Sequence, residues 1–294
     1  MLFVELIVRL VELIIASRKV IQTGVDEVIA NLALVAQSGS GKSRILRQFA
    51  KYDGVMMVTN TSYDQIVKSI LAKIRNKEVD LLAFPEFNKI LARKESTMLS
   101  TLGILNPLID EGIDGIEMPN LNISFKPPLK CAEILAVSTP IFNKYLQNWW
   151  EIGYAQRHLF ETWSYTREQI EQICEYIEDQ QHYEEKVFRK DFKKSEIHLD
   201  KKYAKVIRPL AFQLSEDLAR YVDTVCGVRG IRSQRPKDEE TIPFRYAKQL
   251  HLLLKANALI EGRDAVNFDD VRTLCDISEH MNLEFSPLRA GRKS

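Results

Sequence analysis

The residues best suited to chemistry are Ala36-Gln-Ser-Gly-Ser-Gly-Lys-Ser43, which fit the phosphate-loop pattern of Ala or Gly, four arbitrary residues, then Gly-Lys and Ser or Thr. Gly39 and Gly41 let the backbone turn tightly enough for successive N–H groups to face one concavity and hold phosphate oxygens. Lys42 is expected to set its ammonium against the β- and γ-phosphates of ATP, and Ser43 to offer its hydroxyl to Mg2+. A helix starting near Lys42 would turn its positive end to the same anion. The expected nucleotide-binding stretch is Gln37, Ser38, Gly39, Ser40, Gly41, Lys42, Ser43 and Arg44.

Hydrolysis at such a loop also needs an acid at the end of a neighbouring strand. LLAFPEFNKIL supplies Glu86, flanked by Pro85 and Phe87, as one carboxylate where two are usual. Glu86 is a candidate Mg2+ ligand, together with Ser43, or a base that orients the attacking water. The sequence leaves both roles open.

The elements that must position these groups read as a parallel sheet. Apolar runs NLALVA (31–36), GVMMVTN (54–60), VDLLAFPEF (79–87), AEILAVSTP (132–140) and HLFETWSY (158–165) are separated by amphipathic helical stretches. Continuous rather than alternating apolar runs indicate strands buried on both faces. GIDGIEMPNLNISFK (112–126) reads as a hairpin around Pro119-Asn120. After about residue 166 the pattern turns helical, apart from the loop GVRGIRSQRPKDEETIP; the basic and acidic run 184–205 reads as a solvated face or linker. The fold class is therefore α/β, a P-loop NTPase parallel-sheet domain followed by an all-helical domain. The divisions are an amphipathic helix and linker over 1–30, the nucleotide-binding domain over 31–185, and the helical domain with its connection over 186–294.

The opening LFVELIVRLVELIIA carries Glu5, Arg9 and Glu12 on one helical face and is shorter than the ~20 apolar residues of a bilayer span. It reads as a helix packed on the protein, with no membrane span. Its charges also disagree with a secretory leader. With 41 basic and 40 acidic side chains in 294 residues, the net charge of +1 offers no global attraction for nucleic acid. Cys131, Cys174, Cys226 and Cys275 form no CxxC pair, which favours a reduced, cytoplasmic setting. The histidines, His158, His182, His198, His251 and His280, lack metal-ligand spacing.

Over residues 30–282 the chain resembles the AAA+ ATPases, in particular the branch of MCM-like helicases and MoxR-like ATPases. The P-loop, the hairpin before AEILAVSTP, the segment WWEIGYAQRHLF (149–160) and PFRYAKQLHLLLKANALIEGRDAVNFDDV (243–271) carry the resemblance. It implies a helical lid over the second domain. It also implies that Thr139, or Ser138 one residue earlier, is a sensor near the γ-phosphate. Arg157 would be an arginine finger reaching a neighbouring subunit's nucleotide, and Arg245 a second sensor linking nucleotide state to the lid. Pro85-Glu86 and Thr139 depart from the family pattern at the hydrolytic positions.

The same resemblance implies an ATPase with Mg2+ that forms a homo-oligomer, a ring or filament, and acts on DNA as a helicase or remodelling motor. Alternatives are a MoxR-like protein-remodelling chaperone, with a protein adaptor as partner, and an ATP-dependent assembly switch with slow hydrolysis. Lys126 and Lys130 near the hairpin, and Arg229, Arg232 and Arg235 in the long loop, are the basic groups available for DNA or phosphate. Trp149-Trp150 reads as a packing anchor.

Overall fold

The computed structural model describes residues 2–22, 27–118, 121–178, 192–228, 243–279 and 281. In chain order, α1 (Leu2–Ser17) and β1 (Val20–Ile21) precede β2 (Leu32–Ala36), α2 (Lys42–Arg47) and β3 (Val55–Met57). A helix begins as α3 (Tyr63–Gln65), widens to π-helix over Ile66–Ile70 and ends as α4 (Leu71–Arg75). Next come β4 (Leu81–Phe84), α5 (Asn88–Leu91), α6 (Glu95–Leu108), β5 (Ile113–Met118) and β6 (Leu121–Leu129). β7 (Ala132–Ser138), α7 (Thr139–Glu151) and β8 (Leu159–Trp163) complete the α/β part. α8 (Arg167–Glu178), β9 (Ser195–Glu196), α9 (Lys201–Val228), α10 (Phe244–Ile260) and α11 (Phe268–Ser278) follow.

The five apolar runs expected to be strands form one parallel sheet in the order β3-β4-β7-β2-β8. Every residue of β2, β4 and β7 is buried, the signature of a sheet covered on both faces. Parallel strands put all their carboxyl ends on one edge, where the loops after β2, β4, β7 and β8 converge; open parallel sheets bind ligands at that edge. β5 and β6 form the expected antiparallel hairpin, with a bulge between Ile113 and Gly115; its tip at Pro119-Asn120 lies outside the described residues. Trp149 is fully buried and meets Phe87, Phe142 and Tyr154 edge-on, so it anchors α7 rather than presenting a stacking surface.

α1 buries Leu10, Val11, Leu13 and Ile14 and packs on α10. Each such side chain, fully buried, contributes about 1.5–3 kcal/mol. Its charged face is not simply solvated. Glu5 is exposed, but Glu12 is buried and takes Arg9 at 2.9 Å, while Arg9 also reaches Asn257 (2.7 Å) and Glu261 (2.5 Å). Asn257 continues to Asp270, which binds Arg263 through both oxygens and closes a capping box with Asn267 at the start of α11. This network joins α1, α10 and α11 and satisfies the buried Asp270 carboxylate, whose loss of water would otherwise be costly. Among the described residues, no helix is long and apolar enough to cross a membrane. The run 184–205 and the arginines Arg229, Arg232 and Arg235 lie wholly or partly outside the described residues.

Candidate nucleotide site

β2 ends at Ala36 and the chain turns at once through Gly39 (φ 84°) and Gly41 (φ 86°) into α2. Both glycines sit in the left-handed region where a Cβ is strained. A Cβ added at either would meet nothing within 4 Å, so the space above the loop is open. α2 runs for only 6 residues, so anion attraction falls to the loop N–H groups and Lys42 more than to a long helix dipole. The Lys42 ammonium turns back into the loop and donates to the Ala36 carbonyl (2.8 Å), the Gln37 carbonyl (2.6 Å) and the Ser40 hydroxyl (3.1 Å). Those three acceptors use all three of its N–H bonds. Burial pushes its pKa down to about 8. Gln37, Ser38 and Arg44 are exposed along the rim, and Ser40 is buried.

The acid side of the site lies across from α2. The Ser43 hydroxyl donates to the Pro85 carbonyl at 2.5 Å, which places the residue before Glu86 directly beside the expected metal ligand. Glu86 takes Arg47 at 3.3 Å and is in contact with Lys89. Lys89, by hydrogen bond and charge, and then Arg47 hold the exposed Glu86 carboxyl below the usual carboxylate range. The loop is stitched to β7: the Phe87 N–H donates to the Ala136 carbonyl (3.1 Å), the Asn88 amide donates to the Ser138 hydroxyl (3.1 Å), and Ser138 N–H donates to the Asn88 side-chain oxygen (3.0 Å). Ser138 is therefore engaged by Asn88, while the buried Thr139 opens α7 at the same edge. Asn88 escaped the sequence reading, although a polar residue two places after the acid at a helix start is the available signal. Tyr165, just beyond β8, also reaches this edge, donating its hydroxyl to the Ser40 carbonyl at 3.0 Å.

Arg157 and Arg245 lie elsewhere. Arg157 ends the turn before β8, and its backbone carbonyl accepts from the side chains of Asn31 and Gln249, both at 3.1 Å. Asn31 precedes β2, so Arg157 sits at the amino-terminal edge of the sheet, opposite the phosphate loop. The Arg157 guanidinium pairs with Asp110 at 3.1 Å, without hydrogen-bond alignment at its Nε, and donates to the Gly153 carbonyl at 2.6 Å. Arg245 shares the same Asp110 oxygen at 2.6 Å. Burial, and then the charge of Arg245, disfavour the Arg157 cation, and Asp110 and Glu111 offset them. The resemblance placed Arg245 as a sensor of nucleotide state. The structure sets it beside Arg157, because α10 docks through Gln249 and Arg245 on the amino-terminal edge rather than over the chain's own P-loop. Asp110, Asn31 and Gln249 were not singled out from sequence; the acid pair Asp110-Glu111 after a helix was the only visible hint.

Beneath Arg157, His158 and Glu133 form a fully buried pair at 2.7 Å, with the other ring nitrogen of His158 donating to the Tyr154 carbonyl at 2.9 Å. The pair ties β7 to the turn that carries Arg157. Among the described residues, no group of three or more acidic, histidine or cysteine side chains is placed to hold a metal by itself.

No protein-family model matches this chain, and a search of curated proteins finds no match either.

Phosphate held by the buried Lys42 would bind in a pH-dependent way. Its pKa of about 8 lies below the ordinary 10.5, and a bound polyphosphate would raise it again by favouring the cation. Above about pH 8 the free site has lost the proton that the complex holds, so ATP affinity is expected to fall by up to about tenfold per pH unit. The same shift makes the nucleotide-free protein gain stability between about pH 8 and 10.5, where the unfolded chain binds the extra proton. Titration calorimetry at pH 9 in buffers of different ionisation enthalpy should show proton uptake on binding; none would mean that Lys42 is not the phosphate ligand.

Proposed function

We propose that the chain is an Mg2+-dependent ATPase of the AAA+ kind, whose nucleotide sites are completed by a second copy of the chain. The observation that carries this reading is the Ser43–Pro85 hydrogen bond, which brings the phosphate loop and the acid-bearing loop together at the carboxyl edge of a parallel sheet. The open space above Gly39 and Gly41 suits a phosphate chain, and Lys42 has only carbonyls and a hydroxyl to give up in exchange for it. Ser43 and, through water, Glu86 would hold Mg2+, which neutralises charge on the phosphates. Glu86 would then orient the attacking water.

The placement of Arg157 supports completion in trans. β2 and β8 are adjacent and parallel, and the five residues of β2 separate the edge carrying Arg157 from the phosphate loop. That is roughly 16 Å along the strand. Arg157 is out of reach of its own nucleotide, and to meet another chain's its guanidinium would have to leave Asp110 and the Gly153 carbonyl.

DNA is the target that the resemblance implies. A reading as an assembly switch with slow hydrolysis has its own support: Glu86 already carries Lys89 and Arg47, which compete with water and metal for its oxygens.

Glu86→Gln tests the role of the acid. It should leave ATP affinity within a small factor while slowing hydrolysis by about 10²–10⁴. If Glu86 chiefly organises Mg2+, affinity in magnesium weakens as well. Unchanged affinity and turnover would return Glu86 to a structural role. Running the wild-type assay with and without single- and double-stranded DNA separates the targets, since stimulation favours the motor and indifference favours the chaperone or switch.

A further inference from the structure

We infer that Tyr165 is a positioning residue for the phosphate loop, acting through the peptide that joins Ser40 to Gly41. The inference rests on the ATP-site reading above and extends it to a residue far outside the loop motif.

Tyr165 is half-buried against the core, between the end of β8 and the start of α8. Its hydroxyl donates to the Ser40 carbonyl at 3.0 Å. A trans peptide is planar, with its C=O and N–H pointing in opposite directions. Holding the Ser40 carbonyl on the tyrosine side therefore turns the Gly41 N–H away from Tyr165, toward the phosphate side of the loop. That N–H belongs to the residue in the left-handed conformation that starts α2 (φ 86°, ψ 0°). Glycine at this position has no side chain to stabilise one peptide orientation over its flipped alternative, so an external hydrogen bond decides between them.

The tyrosine is itself held firmly. Immediately after it, Thr166 and Gln169 cap α8 reciprocally: the Thr166 N–H donates to the Gln169 side-chain oxygen at 2.9 Å, and the Gln169 N–H donates to the Thr166 hydroxyl at 3.3 Å. Such a box fixes the direction in which the chain enters a helix. On its other side, β8 is locked in register against β2, with Trp163 opposite Ala36, the last residue before the loop. The donor and the peptide that it orients are thus mounted on two neighbouring strands of one sheet. Pre-aiming a loop N–H spares phosphate binding the cost of ordering it.

The test is Tyr165→Phe, which keeps the ring and removes the hydroxyl. Affinities for Mg2+-ATP and for inorganic tripolyphosphate are measured by displacement of a fluorescent ATP analogue, well below the melting transitions of both proteins. Loss of one hydrogen bond that orients a phosphate ligand should weaken both by the same factor, about threefold to tenfold. The melting temperature of the nucleotide-free protein should stay close to wild type. A purely structural tyrosine would instead lower melting and leave both affinities unchanged. Weakening of ATP without tripolyphosphate would show a contact to the nucleoside and overturn the inference, as would unchanged affinity for both. A wild-type chain that displaces no analogue would remove the ATP site itself; wild-type binding with an equally tight Tyr165→Phe variant would remove only the role of Tyr165.

Discussion

Arg157→Ala protein is expected to bind Mg2+-ATP as wild type does and to hydrolyse it about 10³–10⁵-fold more slowly. The binding half follows from position: Arg157 sits at the edge of the sheet away from the phosphate loop, so its loss removes no atom from the site of its own chain. The rate half follows from chemistry, since a guanidinium supplied by a neighbour stabilises charge that develops on the transferred phosphoryl group. The fold should tolerate the change, because Asp110 keeps Arg245 at 2.6 Å. Subunits with Arg157→Ala, mixed with subunits carrying Lys42→Ala, should regain part of the activity. An interface that joins an intact loop to an intact arginine then exists only in the mixture. Specific activity of the wild type should also rise with protein concentration. Activity independent of concentration, with no recovery on mixing, would remove the trans arginine and the oligomeric ATPase together.

The parts legible in sequence were those governed by local chemistry. Gly39, Gly41, Lys42 and Ser43 stand out because a phosphate loop needs those residue types in that order, and the structure sets the two glycines in the turn after β2 and Lys42 and Ser43 in the first turn of α2. The strands were legible because unbroken apolar runs such as LALVA and AEILAVS must be buried on both faces. The strand ends are less legible: GVMMVTN contributes Val55–Met57 alone.

What stayed hidden depends on contacts between distant segments. Asp110 gathers Arg157 and Arg245 from positions 47 and 135 residues away, and no local pattern encodes that meeting. Asn31 likewise bonds Ile109, Arg157, Glu133 and Gln249 from a site that reads as the first residue of a strand. The helical region was recognisable as helix, yet its docking edge was not. The Gln249 and Arg245 contacts that seat α10 on the amino-terminal edge are single polar residues in an otherwise ordinary amphipathic helix. Tyr165 follows the same rule, since its importance lies in a hydrogen bond across 125 residues.

The second large effect concerns Lys42. Its ammonium is bonded inside the loop, and removing it leaves the Ala36 and Gln37 carbonyls and the Ser40 hydroxyl without that donor. Loss of those hydrogen bonds costs the free protein stability, and relief of a half-desolvated charge offsets it. The cost to phosphate binding is large, because without it the loop must hold a polyanion on backbone N–H groups alone. The decisive measurement is thermal unfolding of wild type and Lys42→Ala with and without Mg2+-ATP. The wild type should gain about 2.7 kcal/mol of stability at ATP concentrations 100 times Kd, and Lys42→Ala should gain nothing at the same concentrations. A wild-type protein that ATP does not stabilise, or a Lys42→Ala variant that keeps the full gain, would contradict the phosphate loop as the site of nucleotide binding.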